Sequence, residues 1–383
     1  MLVLAAAVAG ASSIDPSGRA NEANFDEPSL THPFGGIADD LLSPLARWDA
    51  TWFLGIADDG YTQELDTAFF PLYPLLVRAL VAPFASEGAL LVSAYVVSLA
   101  CFLGALLLLH RLVELELGRK TAVAAVWLVA LFPAAVYFGA PYSESLFLLV
   151  SVGAFYAART ERWAWAGALA AAASATRSAG LVLLVPLFLF WLRSRPRRTS
   201  ALAWLAIAPL GVAAYALYLG LDHGEALAFV DAQEGWYREF AGPFVGVWDG
   251  ASAAWDGVRQ LVGGSQETVY FDRAGGDPDA NARINVMLFV FLVFAAIALL
   301  GAFRRLPLPY GAYALAALAL PLSWPVDPQP LMSLPRFVAV LFPLFVWLAL
   351  ACEQRRRTVP VALISAAGLA FFTARFSSWE WIS

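Results

Sequence analysis

The sequence predicts an all-α, polytopic membrane protein, and three observations carry that prediction. Of 383 residues, 60% are hydrophobic and only 14% are charged, against about 25% charged in an average soluble protein. Apolar runs approaching the roughly 20 residues that cross a bilayer recur along the chain. Arginine and lysine collect in alternate loops between those runs, the pattern that sidedness imposes. A soluble domain of this length cannot hide so much apolar surface. Mean hydropathy is +0.68, which excludes a disordered chain. The net charge of −6 excludes general affinity for nucleic acid.

The runs follow in order. Residues 1–14 are short for a span, about 21 Å long as a helix against a core of about 30 Å. A first helix is favoured there over the tail of a signal peptide, because no basic segment precedes it. Later runs fall near 88–110, 120–139, 141–158, 163–176, 180–192, 200–221, 284–303, 308–322, 334–352 and 358–376, about eleven spans in all. With 15–87 outside, each inner loop is basic: Arg111, Arg119 and Lys120; Arg159 and Arg162; Arg193, Arg195, Arg197 and Arg198; Arg304 and Arg305; Arg355, Arg356 and Arg357. The inner loops carry a net +10 and everything else −16. The chain reads as one integral membrane domain, 1–383, with two long outer segments, 15–87 and 222–283. Both are acidic and aromatic, the second holding Trp236, Tyr237, Trp248, Trp255 and Tyr270. Minimal inner loops and long outer ones place the chemistry on the outer face.

Cys101 and Cys352 lie in apolar runs and read as small buried hydrophobes. His32, His110 and His223 are scattered, with no ligand spacing for zinc. A single lysine against 23 arginines, with abundant alanine, reads as a GC-rich genome.

The chemistry-bearing residues begin with Arg47-Trp48-Asp49-Ala50-Thr51-Trp52-Phe53. Ser43-Pro44 predicts a helix start and Gly60 its stop. Leu45, Trp48, Trp52 and Ile56 then form an apolar stripe suited to a membrane interface. Asp49 stands beside that stripe, where desolvation raises a carboxyl pKa and makes a better base. A salt bridge or cap with Arg47 is the structural alternative. Asp58 and Asp59 read as a solvated helix end. Glu64-Leu65-Asp66 precedes Ala68-Phe69-Phe70-Pro71-Leu72-Tyr73-Pro74, whose two prolines predict an extended crossing. Phe69, Phe70 and Tyr73 line a groove or anchor at the interface. Glu144, in Pro141-Tyr142-Ser143-Glu144-Ser145, sits at the membrane rim, where an acid is a functional candidate. A structural pair with Arg177 or Arg336 is its alternative. Arg177 and Arg336 each mark an outer boundary, against the positive-inside rule. Arginine grips phosphate through a planar fork, so the two suggest an anionic lipid headgroup. Snorkelling is the alternative.

Arg47-Trp48-Asp49-Ala50, Gly60-Tyr61, Glu64 and the Ala68–Leu76 segment resemble the first outer loop of the mannosyltransferases that add the second mannose in GPI-anchor assembly, with their prokaryotic relatives. Pro141–Phe147, Ala175–Gly180 and Pro335-Arg336-Phe337 resemble the later motifs in the same order, with Ala179 where the family usually has Asn. The resemblance runs from about 40 to 350. It implies a GT-C-type glycosyltransferase fold and mannose transfer from polyprenyl-phosphate-mannose on the extracytoplasmic face of a prokaryotic plasma membrane. It implies Asp49 as the catalytic base of an inverting displacement. Arg336 and Arg177 bind the donor phosphate in this reading. Glu144 orients an arginine or bonds the sugar. Tyr142, Trp48, Trp52, Glu64 and Tyr73 complete the substrate-binding set. No cofactor and no metal are required, although a divalent cation held with Asp49 stays open. The acceptor is a glycolipid, a glycan or a protein. Two alternatives use the same charges: a lipid or small-molecule transporter or flippase, and a GT-C enzyme for another sugar.

Overall fold

The computed structural model describes residues 1–84, 88–195, 199–264 and 277–382. Arg197, Arg198 and Tyr270 lie outside the described residues. Every regular element among the described residues is helical. The chain opens with α1 (Leu2–Ala11) and α2 (Pro16–Phe25). Two brief helical segments, Pro28–Thr31 and Gly36–Leu42, lead to α3 (Asp49–Asp59) and α4 (Leu72–Val81). The segment 15–87, expected outside, is therefore largely helical among its described residues.

Then come α5 (Ala89–Leu117) and α6 (Arg119–Ala130). Gly118, at φ 87°, stops the one and admits the other. Pro133 breaks the next run, so residues 133–139 leave α6 at 72°. α7 (Glu144–Arg159) and α8 (Trp163–Thr176) follow. A 3-10 segment, Ser178–Leu183, feeds α9 (Leu184–Arg193). The 200–222 run is split at Pro209 into α10 (Ser200–Leu205) and α11 (Leu210–Asp222). The segment 222–283, expected outside, contains α12 (Ala228–Gly235) and α13 (Val245–Gly263). α14 (Pro278–Arg305) starts six residues before the expected 284. Its start is set by Asp277, which accepts from the Asp279 N–H at 3.0 Å, and by Pro278 at the first helical position. α15 (Leu308–Leu322), α16 (Leu334–Ala339), α17 (Phe342–Gln354) and α18 (Thr358–Ser377) complete the chain.

Among the described residues four segments are long and apolar enough to cross a membrane: Ala89–Leu117, Ser200–Asp222, Pro278–Arg305 and Thr358–Ser377. The bent 119–139 pair makes a fifth. Most of the other runs among the expected eleven appear as shorter apolar helices. Proline explains one shortening: the 334–352 run breaks between Ala339 and Phe342, ahead of Pro343, while the 163–176 and 180–192 runs are separate, parted at Arg177. α7 is the central element, with all but three residues buried, packed against α5 and α8.

The ends of the bundle differ in chemistry. Arg159 Nε donates to Glu116 Oε1 at 2.7 Å, and the Tyr310 hydroxyl donates to the same oxygen at 3.2 Å. Thr121 Oγ1 donates to Glu353, and Arg305 donates to Gln354 Oε1 at 3.3 Å. Helix ends beside four of the expected basic inner loops thus meet one another. Asp49, Glu144, Arg177 and Arg336 gather elsewhere, where α3, α7 and α16 begin and α8 ends.

Candidate active site

The site is built at a helix start. Trp48 adopts a left-handed backbone, φ 57°, and Asp49 is the first residue of α3. This corrects the sequence expectation of one helix running on from Ser43. Residues 43–45 form a separate 3-10 turn, so Leu45 is not on the stripe of α3 and Asp49 is terminal. A carboxylate there is favoured by the unpaired N–H groups of the first turn. The Asp49 N–H donates to the Tyr142 hydroxyl at 3.1 Å, and that hydroxyl donates to the Arg47 carbonyl at 2.9 Å. Tyr142 thereby fixes the turn carrying the acid to the residues just before α7.

A chain of ion pairs runs inward from Asp49. Its Oδ2 pairs with Arg336 Nη1. Arg336 Nε lies 3.0 Å from Glu144 Oε1, and Arg177 Nη1 donates to that same oxygen at 2.7 Å. Glu144, first residue of α7, is 1% exposed. A buried carboxylate needs such partners, because an uncompensated charge is expensive away from water. Arg336 also stands over the rings of Tyr137, Tyr142 and Phe337, at 5.8, 5.7 and 5.7 Å.

The sequence reading missed Arg238. It follows α12 in the 222–283 segment and is half-buried. Its guanidinium lies 5.5 Å from the Phe337 ring, as does that of Arg177. Burial, with Arg336 and Arg177 nearby, pushes its pKa down to about 10, so it remains a cation at neutral pH. No described carboxylate comes within ion-pair distance of it. Its only sequence signal was a basic residue in an acidic, aromatic outer segment.

These groups border a cavity of about 400 Å³. Asp49, Arg177, Arg238 and Arg336 line it with an aromatic wall that includes Phe53, Phe69, Trp236, Phe337 and Trp381. Glu144 is not in the lining; it stands behind the arginines. Three cations therefore face one lining carboxylate, in a mostly apolar chamber. That suits a ligand with an anionic group and an apolar body.

Several predicted contacts lie elsewhere. Trp52 is stacked on Phe69 at 5.7 Å and Trp48 packs on Phe25, Trp379 and Trp381; neither lines the cavity. Tyr142 is buried beneath it. Glu64 is exposed at the start of a 3-10 turn and is not among the lining residues. Tyr73 is fully buried and bonded to Ser98 Oγ at 2.8 Å, a packing role. The prolines around it do not make an extended crossing. Pro71 precedes α4 and Pro74 sits in its first turn, where a missing N–H breaks no intrahelical bond. Among the described residues no three His, Cys, Asp or Glu side chains converge as metal ligands.

Residues 15–192 match the family model described as Mannosyltransferase (PIG-V). The match covers just under half of the chain and includes Asp49, Glu144 and Arg177, but stops before Arg238 and Arg336. It is narrower than the motif resemblance, which extends to about 350. Among characterised relatives, GPI alpha-1,6-mannosyltransferase 2 of Cricetulus griseus is 39% identical over 137 residues, 33% of this chain and 28% of that protein. The Homo sapiens protein of the same name is 36% identical over 142 residues, 34% of this chain and 28% of that protein. The similarity thus spans just over a quarter of the length of these curated relatives. Among solved structures, the Archaeoglobus fulgidus oligosaccharyltransferase tethered with an acceptor peptide aligns with a TM-score of 0.48 and 13% identity, over 95% of this chain and 54% of that one.

Proposed function

We propose that this chain is a membrane mannosyltransferase. It moves mannose from polyprenyl-phosphate-mannose to an acceptor hydroxyl on the extracytoplasmic face, with inversion at the anomeric carbon. The single observation that carries this reading is Asp49 on the cavity wall, the one lining carboxylate among three arginines. The similarity to mannosyltransferases, which covers Asp49, adds the sugar and reaction class.

The acceptor oxygen attacks the anomeric carbon as the bond from that carbon to the phosphate oxygen breaks. The bonding pair leaves with polyprenyl phosphate, and Asp49 takes the acceptor proton. Asp49 Oδ2 is engaged by Arg336, which leaves Oδ1 for the acceptor. Positive charge on the sugar grows in an oxocarbenium-like transition state, by analogy with glycoside hydrolysis. Negative charge grows on the leaving phosphate, where Arg336, Arg177 and Arg238 stabilise it without reorganising. Glu144 acts at one remove, as the positioning residue for two of those arginines. The acceptor is a glycolipid, a glycan or a protein.

The test is purified full-length protein in lipid nanodiscs, supplied with radiolabelled polyprenyl-phosphate-mannose and membrane extract. Wild-type protein transfers mannose and releases polyprenyl phosphate. Asp49→Asn lowers kcat by about 10²–10⁴, the range for a lost general base. Transfer by Asp49→Asn at the wild-type rate removes Asp49 from that role.

A further inference from the structure

Neither Trp48 nor Trp52 reaches the cavity, yet one indole does stand beside the acid. The cavity adjoins a small gap behind it, and three residues line both: Asp49, Arg336 and Trp381. The first two form the ion pair at the reacting position. Trp381 is the third, and nothing in the catalytic scheme above uses it.

The structure fixes Trp381 there by several independent contacts. α18 ends at Ser377, and Trp379 turns the chain with a left-handed backbone, φ 59°. Trp379 is fully buried with its ring 5.0 Å from the Arg47 guanidinium. Its carbonyl accepts from Asn21 Nδ2 of α2 at 2.8 Å. Glu380 pairs with Arg375 of α18 and accepts from the Ser378 hydroxyl at 3.1 Å. Gly18 of α2 admits the Ser378 carbonyl; a Cβ there would lie 2.2 Å from it. Ile382, the next residue, is buried and lines the same small gap. Trp381 itself is held edge-on by Trp48, with ring centroids 4.9 Å apart at 84°, and stays half-exposed toward the cavity. Its Nε1 has no hydrogen-bond partner among the described residues. The segment is thus pinned on both sides of one aromatic group that remains open.

An indole immobilised in this way offers a large apolar surface with no further rotamer entropy to lose on binding. Its π face also favours nearby positive charge, which the reacting sugar acquires. We propose that Trp381 is a substrate-contacting, specificity-determining residue that packs on the transferred sugar beside Asp49. This rests on the mannosyltransferase reading for the identity of the sugar, and the measurement below separates the two.

The experiment compares wild type, Trp381→Leu and Trp381→Phe in nanodiscs. Binding is measured for two ligands, polyprenyl-phosphate-mannose and sugarless polyprenyl phosphate. Transfer kinetics and thermal midpoints are measured alongside. Trp381→Leu weakens binding of the sugar-bearing donor by about fivefold or more and leaves polyprenyl phosphate binding unchanged. Its thermal midpoint stays near wild type, and Trp381→Phe restores most of the donor affinity. Equal loss for both ligands, or loss for neither, overturns the proposal. A wild-type protein that binds the mannose donor with this Trp381 dependence yet never transfers mannose overturns the function reading and leaves the contact standing.

Discussion

Glu144→Gln removes one buried negative charge and keeps the shape of the side chain. In the native site Glu144 Oε1 serves Arg336 at 3.0 Å and Arg177 at 2.7 Å, and Glu144 is 1% exposed. After substitution Arg336 keeps Asp49, but Arg177 keeps no ion-pair partner and is 18% exposed. Breaking a buried pair by deleting one partner costs about 3–5 kcal/mol. The amide still offers an acceptor, so the expected cost is near the lower bound, about 3 kcal/mol. At about 2 °C per kcal/mol for a large domain, the thermal midpoint drops by about 6 °C. The assay is thermal unfolding in detergent with lipid, scanned by tryptophan fluorescence. Glu144→Leu combined with Arg177→Met should recover part of the loss, because the stranded cation and not the missing contact causes most of it. A midpoint within about 1 °C of wild type, or strictly additive single effects, refutes a shared charge network around Glu144.

Three further outcomes are expected. Tyr142→Phe removes the hydroxyl that bonds the Asp49 N–H and the Arg47 carbonyl; kcat falls by about tenfold or more with little change in donor KM, measured by steady-state transfer, because the acid is misplaced and not removed. Arg238→Ala deletes the cation without a carboxylate partner; donor KM rises about tenfold, in the range for a charged hydrogen bond to phosphate, while the thermal midpoint barely moves. Val262→Cys, on the most exposed part of α13 at 85%, is labelled by a membrane-impermeant maleimide from outside intact cells, and Arg356→Cys is not; the reverse pattern overturns the proposed sidedness.

How far the sequence could be read depended on the range of the interaction. Arginine placement follows a local rule, and helix ends near four basic loops do meet, through Glu116, Arg159, Tyr310 and Glu353. Glu144 could be weighed against Arg177 and Arg336 because an acid at a membrane rim needs a cation; the structure supplies both at one oxygen. The start of α3 was not legible. Ser43-Pro44 is a sound helix signal, but Tyr142, 93 residues away, holds the turn at Asp49. Pro71 and Pro74 were read as breakers because proline's meaning depends on which turn of a helix it occupies. Arg238 and Trp381 carry no local motif at all; only the folding of distant segments onto α3 and α16 brings them to the acid.

The wiring of the acid also bears on how the protein is made. Glu144 and Arg177 are 33 residues apart and can join almost as soon as α8 is inserted. Asp49 waits for Arg336, 287 residues later. At about 5–20 residues per second the ribosome needs roughly 15–60 s to supply it. During that interval the nascent chain carries a carboxylate without its cation, and a ribosome that stops early leaves it so permanently. A stalled product is therefore marked by a charge that the finished chain neutralises.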